Sequence, residues 1–172
     1  DMCQIMNISD DERYNGSYEI VLDYIRSHSV NPGLDVVNFF EVLLFSFLVG
    51  NSDMHLKKIS FYSQAGIGAM LSRGSGLTSK TLINPSFEED FALTVNGKKK
   101  KIKLSDFAMA ATAAKLDKKQ QENILNKMIN AKADWLKFID NSFLSLDYKS
   151  AYKELIKSRF SRLLKHNVVS KN

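Results

Sequence analysis

Apolar positions recur at helical spacing from Tyr18, where Ile20, Val21, Tyr24 and Ile25 predict one buried helix face. Asn31-Pro32-Gly33 stops that helix, because proline lacks a donor and glycine takes positive φ cheaply. A second helix is expected from about Leu34 to Val49, with the Asp35 carboxylate near its start, where the helix dipole favours it. Its residues Val36, Val37, Phe39, Phe40, Val42, Leu43, Leu44, Phe45, Phe47 and Leu48 are apolar nearly all round. A helix hydrophobic on every side is buried on every side, so this one should be the central core helix, ended by Gly50.

The middle of the chain changes period. Lys58 to Tyr62 alternates with β-formers, Ala65-Gly66-Ile67-Gly68 reads as a turn, and Ile67 to Leu71 returns as the partner strand. Arg73 to Lys80 is small and polar and predicts an irregular loop. Phe91 to Val95, Asn96-Gly97 and Lys99 to Leu104 predict a second hairpin, since Asn-Gly suits the type I′ turn. Helical pattern then resumes. Ser105 is the expected N-cap of a helix from Asp106 to Leu116, and Asp117 that of a long helix to about Asn141. The long helix should bury Ile124, Leu125, Met128, Ile129, Trp135, Leu136 and Ile139. A last helix from about Tyr148 to Lys165 carries Ala151, Leu155, Phe160, Leu163 and Leu164. The expected fold is mainly α with two small β-hairpins, forming a single domain over residues 1–172.

Composition narrows the class. A chain of 172 residues is sized for one domain with a real core. Its longest apolar stretch, Val42 to Gly50, is too short to span a bilayer, so no membrane association is expected. The single cysteine, Cys3, can form no internal disulfide and no cysteine zinc cluster, which points to a reducing cytoplasm. The chain begins with Asp and shows no signal segment, the look of a piece of something longer. The net charge of +5 is spread over Lys98-Lys99-Lys100-Lys101, Lys115 to Lys119 and Lys153 to Lys171. Such a diffuse excess predicts solvated faces, and no direct nucleic-acid contact by this chain. His28 near a helix end should meet the last carbonyls, His166 should be solvated in a basic tail, and Trp135 and Cys3 should be structural.

Candidate chemistry is concentrated directly after the core helix. Gly50-Asn51-Ser52-Asp53-Met54-His55 places an Asp and a His side by side in a helix C-terminal loop. Alone, such a pair is either a metal pair without its third ligand or a polar turn whose Asn and Asp bond their own backbone. The wider run from Phe45 to Ser60, with Asn51-Ser52-Asp53-Met54-His55-Leu56-Lys57 at its centre, resembles the catalytic loop of HipA-like serine/threonine kinases. Asp1-Met2-Cys3-Gln4, Leu93-Thr94-Val95-Asn96-Gly97-Lys98 and Asp106-Phe107 resemble further segments of that family's C-terminal lobe.

The resemblance implies phosphoryl transfer from ATP, with Mg2+, to a protein hydroxyl. Aminoacyl-tRNA synthetase is the family's type of target, and the family supplies the toxin of a bacterial toxin–antitoxin pair. It therefore implies a HipB-like antitoxin partner. By position Asp53 matches the catalytic base, Asn51 a support of the loop turn, and His55 and Lys57 loop residues that brace it or meet phosphate charge. Both metal-ligand positions depart from the family pattern. The Asn due five residues after Asp53 is Lys58, and the later metal-binding Asp falls on Gly76. An ammonium donates and cannot coordinate a cation, but Lys58 could lie against phosphates as a point charge. The Gly-rich loop and strand lysine that cover ATP in kinases are absent from these residues. In the family they belong to an N-terminal lobe, so a complementary lobe or longer parent chain is implied. The expectation is a kinase-type C-lobe inactive alone, or alternatively a non-catalytic scaffold.

Overall fold

The computed structural model describes residues 1–164. Helix α1 (Met2–Ile5) leads through a 3₁₀ turn at Asp10–Glu12 into α2 (Tyr18–His28) and α3 (Pro32–Leu48). A 3₁₀ turn at Leu56–Lys58 precedes β1 (Phe61–Gln64) and β2 (Gly68–Leu71), an antiparallel pair in which Phe61 faces Leu71. The rest is α4 (Lys80–Ile83), α5 (Leu104–Ala113), α6 (Lys118–Asp140) and α7 (Leu146–Leu164). The mainly helical architecture is the one expected. His166 and the end of the predicted last helix at Lys165 lie outside the described residues.

Helix α2 starts where Ser17 accepts the Ile20 N–H, but its buried face is turned from the expected one. Tyr18, Val21, Leu22 and Ile25 are buried, whereas Ile20 is half exposed. The i, i+3, i+4, i+7 series begins two residues before the first aliphatic position, Ile20, because Tyr18 is itself core. Helix α3 begins at Pro32, not after it: proline at the first position gives up an N–H that has no helical partner anyway. The helix is the core helix, with Val36, Phe39, Phe40, Leu43, Leu44, Phe47 and Leu48 buried. It is not enclosed all round, since Val37, Val42 and Phe45 are only partly covered. Around it the rings of Tyr18, Phe47, Phe91 and Phe107 meet mostly edge to face, with Tyr18–Phe91 centroids 5.1 Å apart and Phe47–Phe107 5.4 Å.

The predicted second hairpin is a turn and no ladder. Val95 and Lys98 exchange backbone hydrogen bonds of 2.8 and 3.0 Å around Asn96-Gly97, as one isolated bridge. Pairing stops there because the Thr94 backbone bonds sideways to Gly16 and Tyr18, and the turn itself is held by the buried Asp106, which takes Asn96 Nδ2 at 2.9 Å and Lys98 Nζ at 2.7 Å. Asp106 also accepts the Lys103 N–H at 2.9 Å, which starts α5 at Leu104 instead of using Ser105 as cap. The lysine run is thus partly structural: Lys99 donates to the Tyr14 carbonyl at 3.1 Å and Lys100 to Glu88 at 3.2 Å. Asp117 caps α6 as expected, its carboxylate accepting the Gln120 N–H at 2.7 Å.

Helix α7 departs most from the pattern. Ala151 is exposed, while Ile156 and Arg159 are buried with Phe160 and Leu163. Arg159 pairs with buried Asp90, which also accepts Arg162 at 2.9 Å and the Ile102 N–H at 3.0 Å. Both guanidinium groups lie over the Phe47 ring, 4.8 and 4.7 Å from its centroid. This ion group joins α7 to α3 and to the loop before α5. The isolated residues follow expectation: Cys3 is buried, His28 Nδ1 donates to the Tyr24 carbonyl at 3.0 Å, and Trp135 packs edge-on to Phe45 at 5.1 Å. Among the described residues no helix is long and apolar enough to cross a membrane.

Removing Asp90 would leave two arginines in place with no counter-charge, a change that commonly costs about 3–5 kcal/mol. Asp90→Ala is expected to lower the urea midpoint accordingly. An unchanged midpoint would show that the ion group contributes nothing to holding α7.

Candidate functional site

The loop after α3 has its shape from a glycine. Gly50 sits at φ +72, and a Cβ there would lie 2.8 Å from Leu155 Cδ2 and 2.9 Å from Ser79 Oγ. Glycine is therefore needed both for its conformation and for the close approach of α7 and α4. Its carbonyl accepts the Thr81 N–H at 3.2 Å, which fixes the start of α4 beside the loop.

Asn51 is fully buried and acts as an internal brace. Its Nδ2 donates to Ser46 Oγ at 3.2 Å and its Oδ1 accepts the Asp53 N–H at 3.3 Å. The local bonding of an Asx turn is thus present together with a tertiary anchor. Tyr18, on α2, donates to the Met54 carbonyl at 2.8 Å and pins the loop from beneath.

Asp53 is the focus. Its Oδ2 lies 2.9 Å from Lys58 Nζ, and its Oδ1 lies 3.3 Å from Lys80 Nζ and accepts the Tyr14 hydroxyl at 3.1 Å. Its side chain is 22% exposed, against 27% for Lys58 and 37% for Lys80, so the group is half covered and reachable from solvent. Burial pushes the Asp53 carboxyl up, but the hydrogen bonds and charges of Lys58 and Lys80 outweigh it and hold the pKa below the ordinary value. Lys58 lies on the 3₁₀ turn and not on the predicted strand, which is why it can reach back over the loop.

The other expected site residues divide. His55 is buried with Nδ1 unpartnered, its ring edge-on to Tyr14 at 4.9 Å. Burial lowers its pKa most; Asp53 opposes this, and Lys58 adds to it. Lys57 is directed elsewhere, to exposed Asp10. Gly76, at φ +62, places its backbone beside Lys58: a Cβ there would be 4.0 Å from Lys58 Nζ. The two positions matched to metal ligands are thus neighbours, and one is an ammonium and the other has no side chain.

Sequence reasoning missed Tyr14 and Lys80. Each lies far from Asp53 along the chain, and neither stands in a periodic pattern. Lys80 also rests over the Phe87 ring at 4.5 Å.

A divalent cation does not suit these residues. Mg2+ asks for oxygen ligands, and here a single carboxylate is already engaged by two ammonium groups. Among the described residues no group of three or more His, Cys, Asp or Glu is arranged to hold a metal ion.

Fold and site define a helical domain built around a charged loop at the end of its core helix. The chain belongs to the HipA-like C-terminal domain family, whose model matches residues 1–136. Among solved structures it is similar to a chain of a complex described as the Shewanella oneidensis MR-1 toxin–antitoxin system HipA, HipB and its operator DNA. The identity is 18% and the TM-score 0.83, over 96% of this chain and 43% of that one. This chain therefore spans less than half of that relative's length, and the likeness establishes the fold alone. No curated protein matches the chain.

Because folding lowers the Asp53 pKa, its carboxylate contributes stability that is complete above the unfolded value of about 3.9. That contribution disappears as pH falls through the lower folded value. Asp53→Asn should be less stable than the wild type at neutral pH, and the gap should narrow as pH falls below the ordinary carboxylate value of about 3.9 in urea titrations. A gap that stays constant as pH falls through the carboxylate range would contradict the lysine pairing.

Proposed function

We propose that this chain is the C-terminal lobe of a HipA-type protein serine/threonine kinase whose metal-dependent phosphoryl transfer is lost in this copy. One observation carries the reading: Asp53, at the position of the catalytic base, is held by Lys58 and Lys80 while Gly76 offers no ligand. Phosphoryl transfer needs a carboxylate free to orient the attacking hydroxyl and cations bridging the phosphates. Asp53 engaged by two ammonium groups is a poor proton acceptor. Loss of one well-placed charge-stabilising donor alone commonly costs ~10²–10³ in rate.

The family's ATP, Mg2+ and aminoacyl-tRNA synthetase target would belong to an intact two-lobed protein. The parts that cover ATP would come from a complementary N-terminal lobe or a longer parent chain. For this chain the reading is a cytoplasmic scaffold that keeps the HipA-like fold. A HipB-like antitoxin is the partner in this reading, supported by the HipA, HipB and operator DNA complex in which the similar fold was solved.

Radiolabelled phosphate transfer from magnesium-ATP to the chain itself and to an added protein acceptor tests this directly. Labelling is expected to stay at background. Robust labelling that Asp53→Asn abolishes would overturn the proposal.

A further inference from the structure

The group around Asp53 holds more positive charge than negative: one carboxylate against two ammonium groups, with a net charge of +1. Each ammonium has three donors, and among the described residues each gives one hydrogen bond, to Asp53. Donors therefore remain on both lysines, and both side chains reach solvent. They approach Asp53 through different carboxylate oxygens, from the 3₁₀ turn on one side and the start of α4 on the other. Two flexible cations that both reach the oxygens of one carboxylate can reach the oxygens of a phosphate group in its place.

Access is defined by the surroundings. The cavity that Lys58 shares with Ser72, Arg73, Gly74 and Ser75 measures about 20 Å³, room for about one water. A phosphate cannot enter there, so it would meet the lysines on their solvent-exposed sides. Gly76 adds no side chain next to Lys58 Nζ.

We infer that Lys58 and Lys80 form a seat for a phosphate-bearing anion that needs no divalent cation, and that the anion displaces Asp53 from both ammonium groups. The choice of phosphate over another anion rests on the reading of the loop as a former phosphoryl-transfer loop; the independence from metal rests on the lysines alone. In this arrangement Asp53 is a competitor for the seat and not a ligand of its occupant. That separates it from a metal-dependent phosphate site, in which Asp53 would be needed.

Calorimetric titration of the whole chain with sodium tripolyphosphate in EDTA tests the inference. Saturable 1:1 binding is expected, weakened when Mg2+ is added because the metal competes for the anion. Lys58→Ala and Lys80→Ala should each weaken it at least about tenfold. Asp53→Asn should tighten it several-fold, and Lys127→Ala, whose lysine pairs with Glu41 elsewhere, should leave it unchanged. ATP in place of tripolyphosphate separates the sources: equal affinity means that the phosphate chain alone is recognised, and tighter binding adds a nucleoside contact. Absence of binding in EDTA, loss of binding in Asp53→Asn, or an equal loss in Lys127→Ala would overturn the inference. Absent binding together with absent phosphate transfer removes this inference and leaves the proposed function standing. Binding that requires Mg2+ removes the inference whatever the transfer assay shows.

Discussion

Four stretches of chain meet at the Asp53 carboxylate: the loop that carries it, the 3₁₀ turn with Lys58, the start of α4 with Lys80, and Tyr14 from the segment before α2. The local geometry of this half of the domain depends on that meeting. Gly50 lets the chain reverse directly under α4 and α7, Asn51 and Tyr18 hold the loop from inside, and Lys99 holds the Tyr14 backbone. Each contact is modest alone, for half-exposed ion pairs are weak. Their convergence makes the loop a fixed object, with a carboxylate and two ammonium groups at defined positions.

The remaining acidic residues of the interior follow the same rule: each buried carboxylate sits where two elements join. Asp35 on α3 accepts Ser29 Oγ at 2.5 Å and the Leu71 N–H at 2.8 Å, attaching β2 to the core helix. Asp90 gathers Arg159 and Arg162 from α7, and Asp106 gathers the Asn96-Gly97-Lys98 turn. Burying a carboxylate is costly unless its oxygens are satisfied, so these sites tolerate few alternatives in geometry. The apolar core sets how tightly the helices pack. The carboxylates set which loop lies against which helix.

Much of the fold was legible in the sequence because periodicity reports burial directly. Helix α3, the Asp117 cap of α6, the stripe Ile124, Met128 and Ile139, and the first hairpin all announce themselves locally. What failed were decisions made by distant partners. Nothing near Leu22 says that it replaces Ile20 in the core; the Tyr18 ring, sealed against Phe91, decides that. Asn96-Gly97 is a sound hairpin signal, but the Thr94 backbone is committed to Gly16 and Tyr18 and so cannot extend the ladder. At the site, Asp53, Asn51 and Lys58 stand within one motif and could be read off together. Lys57 shares that motif but points to Asp10, and Lys80 and Tyr14 share nothing with it in sequence yet contact Asp53. Spacing shows which residues are near in the chain, and only packing shows which ammonium meets which carboxylate.

The chain shares the fold of the HipA-like C-terminal domain family, and the proposed loss of metal-dependent chemistry rests on Lys58, Lys80 and Gly76. In the proposed function, ammonium groups stand where metal-dependent phosphoryl transfer would need a divalent cation. Titrating the chain with Mn2+ and following the free-ion signal by electron paramagnetic resonance tests it most directly. The expected result is no stoichiometric site, and a wild type indistinguishable from Asp53→Asn. One tightly bound Mn2+ per chain that disappears in Asp53→Asn would contradict it.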